Sequence, residues 1–192
     1  MRKLIFKWVG VSLLWSMGLW ANSYTIDYAH NKVGFEVSHL MLSTVDGKFN
    51  YYEAIFEYDS KTNILKNIKV KIKAQSIDTE NEKRDKHLRS EDFLDVKKYP
   101  YIEFVSTEEL KIKPGETKQL KGKLTIKGIS KDIVLDVKFV GKMSDPMKKK
   151  ERIGFTAETK INRFDFGINW NDMPGAVGDE VRIIIKGEGL EN

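Results

Sequence analysis

Three histidines, two arginines in a charged insert and scattered carboxylates are the side chains here that could do chemistry. His30, His39 and His87 could in principle meet around a metal ion. No two of them share the i, i+4 spacing that sets a ligand pair on one helix face, and the chain has no cysteine. His39 falls at an inward position of an alternating apolar segment, where a hydrogen-bonded core histidine is the commoner occupant. Nucleophilic chemistry has no motif behind it, since no GxSxG elbow occurs. Gly187-x-Gly189 lacks the following helix that a phosphate-cradling loop needs. The expectation is a protein that is not an enzyme and holds no metal. Arg84 and Arg89 remain, in the insert RDKHLRSEDFLDVKKYP over residues 84–100. They could meet an anionic group from outside, or bind the insert's own Asp85, Glu91 or Asp92.

The segments around that insert alternate with period two. Val33, Phe35, Val37 and His39 alternate with Gly34, Glu36 and Ser38, and Val45, Gly47, Phe49 and Tyr51 with Asp46, Lys48 and Asn50. The same holds for Ala54–Tyr58, Ile68–Ala74, Ile102–Ser106, Gly122–Ile126, Ile133–Phe139, Ile153–Ile161 and Val181–Ile185. Such alternation marks strands with one apolar and one wet face. Eight or nine of them suit a sandwich or a barrel. Short connections, such as Lys127-Gly128-Ile129-Ser130, favour antiparallel neighbours. Residues 80–95 break the rhythm as a short helical insert. Thr79 with Glu82 reads as a capping box, with a helix to about Leu88, and Ser90 could cap a second turn. Leu88, Phe93 and Leu94 would pin this flap to the sheet.

The chain has 192 residues, which suits one domain. Arg2, Lys3 and Lys7 precede the uncharged run Trp8–Trp20 and then Ala21, the pattern of a cleaved secretory leader over residues 1–21. The apolar part is shorter than the roughly 20 residues of a spanning helix. Without that leader the formal charge of +5 falls to +2, which argues against a nucleic-acid partner. The expected location is periplasmic, and the domain would occupy residues 22–192.

Four blocks then carry a resemblance. They are Asp27-Tyr28-Ala29-His30 leading to Phe35–His39, Val45-Asp46-Gly47-Lys48-Phe49, Ser76-Ile77-Asp78 through Asn81–Phe93 to Tyr99-Pro100, and Gly122–Lys131. A weaker match runs over Arg163–Ile168 and Val177–Val181. On these residues the chain resembles the YceI-like family of secreted, lipocalin-like barrels. Leu94 stands where a second phenylalanine is usual. The resemblance implies an all-β, eight-stranded antiparallel barrel with an elongated apolar cavity that binds polyisoprenoid or related lipid chains, an isoprenoid quinone among them. It implies no catalysed reaction and no cofactor besides that lipid.

Alternation alone does not tell a hollow interior from a filled one, and favours the filled one. A filled core would make the chain an interaction module without a ligand, and a third reading is an enzyme acting on a lipid in the cavity. On the implied cavity, the expected wall is Phe35, Val37, Phe49, Phe56, Ile72, Phe93, Phe104, Ile126, Phe139, Phe155, Phe166, Trp170 and Ile183. Burying a methylene from water stabilises by about 0.8 kcal/mol. A membrane lipid, however, already has its tail out of water, so a carrier needs close packing or head-group contacts as well. Head-group candidates at the mouth are His39, Arg84, His87, Arg89 and Asn169. Expected partners are a hydrophobic small molecule and, transiently, a membrane or a membrane redox protein. A homodimer could form at an exposed edge between the first and last strands.

Overall fold

A computed structural model describes residues 22–27 and 30–192. The expected leader, residues 1–21, lies outside the described residues, as do Tyr28 and Ala29. The strands are β1 (Asn22–Ile26), β2 (Lys32–His39), β3 (Ser43–Phe49), β4 (Tyr52–Asp59), β5 (Ile64–Lys73), β6 (Ile77–Asp78), β7 (Tyr101–Ser106), β8 (Leu110–Lys111), β9 (Thr117–Ile126), β10 (Ile129–Ser144), β11 (Glu151–Asn162) and β12 (Val177–Glu191), with helix α1 (Glu82–Leu88) between β6 and β7.

These segments make eight staves of a closed antiparallel barrel. β1 and β2 lie end to end along β12, from Tyr24↔Glu191 to His39↔Val177. β3 and β4 run back along them, and β6 and β5 along β3 and β4. β7, β9, β10, β11 and β12 complete the ring. The expected exposed edge between first and last strands is absent, because β1 pairs with both β4 and β12. Closure satisfies the backbone groups that an edge would leave open.

Inward residues follow the alternation with two corrections, the first being His39, which is exposed at the end of β2 and is no core histidine. Tyr51 points out and is 67% exposed, whereas Tyr52 is buried. Asn50 and Tyr51 form a corner, in which Asn50 N–H donates to Ser76 O and Lys73 N–H to Tyr51 O. Stepping from inward Phe49 to inward Tyr52 takes three residues, so the parity flips there.

The insert also departs from its expected capping. Asn81, not Thr79, caps α1 by accepting from the Arg84 N–H at 3.0 Å. Thr79 is diverted, because its hydroxyl and its N–H both donate to the buried Asp85 carboxylate. Ser90 caps no second helix. Its hydroxyl donates back to His87 O at 2.7 Å, and turns follow to Tyr99.

One barrel end is sealed. Tyr24, Tyr58, Ile112, Phe139 and Ile153 are buried there, and the Tyr58 and Phe139 rings meet edge to face at 4.9 Å. Burial, helped by a hydrogen bond to Glu151, pushes the Tyr24 phenol well above its ordinary pKa. Arg152 sits near this end with Asp27, Asp145 and Glu188 around it at 2.6–2.7 Å.

Candidate functional site

The inward residues enclose one continuous cavity of about 250 Å³. It extends along β12 from Val177 to Ile185, about 26 Å of strand, or about 20 Å of barrel axis at the usual tilt. An apolar cavity of roughly 150 Å³ can stay dry and admit a small apolar molecule, so this one is ample for part of a hydrocarbon chain.

Nine phenylalanines and tyrosines line the lumen, enough to fill a narrow barrel, so it matters how it stays open. Three rings lie flat over glycines on the wall. A Cβ built on Gly47 would fall 2.1 Å from the Phe35 ring, on Gly122 2.2 Å from Phe104, and on Gly189 2.4 Å from Phe56. Each ring occupies the place of the missing side chain instead of projecting to the axis. The Phe56 ring further stacks on Tyr24 at 5.5 Å and meets Phe155 edge-on at 5.9 Å.

The lining is closed at the sealed end, where Tyr58, Ile112 and Leu120 are each 1% exposed. At the flap end the lining residues Val37, Leu88, Ile161, Ile168, Val177 and Val181 are only half-buried. The mouth therefore lies between the flap, the end of β2 and the segment entering β12.

Of the expected wall residues, Phe35, Val37, Phe49, Phe56, Ile72, Phe93, Phe104, Ile126, Phe139, Phe155 and Ile183 line this cavity. Phe166 and Trp170 do not. Phe166 is buried in a 3-10 turn over Arg163–Phe166, where the chain has left the strand register. Trp170 stands outside the lumen, its ring 5.5 Å from Phe93 and 5.4 Å from His87.

The head-group candidates scatter. Arg84 donates to Thr79 Oγ1 and Thr79 O, both at 2.7 Å. Arg89 donates to Gln75 O at 2.9 Å and Ile77 O at 2.6 Å. Both thus fasten the flap to the chain before it, through backbone carbonyls and the Thr79 hydroxyl and not through the flap's own carboxylates. Arg89 clamps α1 to β6, which keeps Leu88 and Phe93 over the lumen. His87 bonds Asp92 at 2.8 Å on the outer side, while His39 and Asn169 are exposed beside the mouth. His30 bonds Asp27 at 3.2 Å, apart from the His87–Asp92 pair. A group that could hold a cation comprises Asp27, His30 and Glu188, but the Arg152 guanidinium already bridges its two carboxylates.

The cation that does line the cavity is Arg163, 3% exposed. Its guanidinium donates to Gly178 O at 3.1 Å, Ile168 O at 2.7 Å and Trp170 O at 3.0 Å, and stacks over Phe164 at 4.2 Å. Burial lowers its pKa, and Asp179, 3.7 Å away, works in the opposite direction. Sequence reasoning passed over it. An arginine directly after an inward-facing strand end, followed by Phe-Asp-Phe-Gly, was the available signal.

A YceI-like domain model matches residues 24–189. The chain belongs to the YceI-like family. It is 38% identical to Protein YceI of Escherichia coli O157:H7 over 194 residues, covering all of this chain and 99% of that one. Among solved structures it resembles the Campylobacter jejuni YCEI protein, at 39% identity and TM-score 0.73 over 88% of this chain and 98% of that one. A polyisoprenoid binding domain from Saccharophagus degradans, implicated in plant cell wall breakdown, shares the fold at 12% identity and TM-score 0.64, over 90% of this chain and 99% of that domain. The family's closed antiparallel barrel with a short helical insert is therefore the architecture of this chain.

Proposed function

We propose that this protein binds one long apolar chain of isoprenoid type inside the barrel, without a catalysed reaction, and so carries, stores or protects the lipid. The observation that carries the reading is the continuous apolar cavity with a single guanidinium, Arg163, near its half-buried mouth. A tail would lie along Phe35, Phe104 and Ile183, with its polar end at the half-buried mouth, in the field of the Arg163 guanidinium, whose own donors are held by backbone carbonyls. A domain of the same fold that is named for polyisoprenoid binding supports the choice of ligand class. Because the tail leaves one hydrocarbon environment for another, affinity rests on close packing in the lumen and on the polar surroundings of the mouth. The site of action in this reading is the periplasm, reached through the leader over residues 1–21.

Native mass spectrometry of the purified protein, followed by organic extraction, tests the reading. The expected result is one lipid per chain, released by extraction. A folded protein that never retains an apolar molecule, even after incubation with an isoprenoid quinone, would overturn it.

A further inference from the structure

The turn between β2 and β3 is built from Leu40, Met41 and Leu42, which are 45%, 86% and 88% exposed. Leu42 N–H closes the turn on His39 O at 3.1 Å, and both Leu40 and Met41 are left-handed, with φ of 52° and 55°. Such a turn ordinarily takes Asn-Gly, because side chains are strained in that conformation. Leucine and methionine there cost the fold conformational energy, and Met41 returns almost no burial for it. A local rule broken without a folding gain points to a use outside the fold.

The position of the tip suggests the use. Leu40 N–H donates to Ala176 O at 3.1 Å, so the tip shares a surface with the loop that bears Met173, itself 58% exposed. One strand leads from the tip to Val37 and the other partner, β12, starts at Val177, and both valines line the cavity at its mouth. The tip holds no tryptophan, tyrosine or arginine, the usual anchors of protein interfaces, and leucine is under-represented among such anchors. A convex aliphatic loop fits hydrocarbon instead.

We propose that Leu40, Met41 and Leu42, with Met173 beside them, insert into the surface of a lipid bilayer and turn the mouth toward it. A lipid then passes between membrane and barrel without its tail crossing water. This rests on the reading of the cavity as a lipid site.

Vesicle flotation tests it, using the chain from residue 22 onward, which contains the whole closed barrel, and vesicles of phosphatidylcholine and phosphatidylglycerol. The wild type is expected to float, with little effect of salt. The Met41→Asp/Leu42→Asp variant should lose roughly tenfold or more of its partition, about the effect of one buried leucine. Met147→Asp, an equally exposed methionine beside Lys148–Lys150 at the opposite end, should change nothing. Uptake of a short-chain quinone from vesicle-free buffer should be the same in wild type and double variant. No flotation of the wild type, flotation abolished by salt or by Met147→Asp, or flotation only with protein-bearing native membranes would overturn the docking while the cavity reading stands. Failure of quinone uptake by the wild type would overturn the cavity reading itself.

Discussion

Arg163 Nη1 donates to the carbonyl oxygen of Trp170 across 3.0 Å, joining the cation in the cavity wall to the aromatic beside the mouth. Trp170 in turn lies 5.5 Å from Phe93, which lines the lumen from the flap. One guanidinium thus organises the rim. Replacing it strips the donors from half-buried carbonyls, which costs more than the bonds contributed. Arg163→Met should cost about 2–4 kcal/mol in urea unfolding. Arg163→Lys, which restores charge but not the planar fork, should recover only part of that.

Gly122 is expected to control the width of the lumen. In Gly122→Ala the new methyl occupies the place of the Phe104 ring, which must swing toward the axis. Overpacking of this kind costs about 1–3 kcal/mol. The extracted lipid per chain should fall while the far-ultraviolet spectrum of the barrel persists.

Arg89→Ala should loosen the flap. It removes both bonds to Gln75 O and Ile77 O and costs about 1–3 kcal/mol. Hydrogen exchange over residues 82–94 is expected to quicken, and bound lipid to leave faster, with the exchange of β9 and β10 unaltered.

Asp145 sets an acid limb of stability. Backbone N–H groups, led by that of Lys148, and the Arg152 guanidinium hold its carboxyl down at about 2. An unfolded aspartate titrates near 4. The folded state thus binds this proton less tightly, and the group's stabilisation is complete above about pH 4 and fades as pH falls toward 2. Thermal melts of Asp145→Asn should be lower than wild type at pH 7 and flatter across that window.

In the chain from residue 22 onward Trp170 is the sole tryptophan, so the intrinsic fluorescence of that chain reports on the mouth. Titration with an isoprenoid quinone should quench it in a saturable way, and Trp170→Phe should abolish the signal without abolishing binding, because the ring stands outside the lumen.

Much of this was legible in the chain. The strands were, because alternation survives almost everywhere: Leu124 and Ile126 are buried and Lys121 and Lys123 exposed, as period two requires. The corner at Asn50 and Tyr51 was not, since a parity flip depends on bonds to Lys73 and Ser76, distant in sequence. Hollow and filled interiors share one pattern of polarity. The difference lay in Gly47 and Gly122 at inward positions, whose meaning appears only when Phe35 and Phe104 are seen above them. The rim was misjudged for a related reason. Charge density drew attention to Arg84 and Arg89, which are spent in fastening the flap, while Arg163, also held by backbone carbonyls, is the arginine that lines the cavity.

β1 begins and β12 finishes at the end sealed by Tyr58 and Ile112. A fluorescent fusion, an affinity handle or a sensor chip attached at residue 22 or residue 192 would therefore hang behind the entrance. Cargo loading could be followed on an immobilised barrel with its doorway facing free solution.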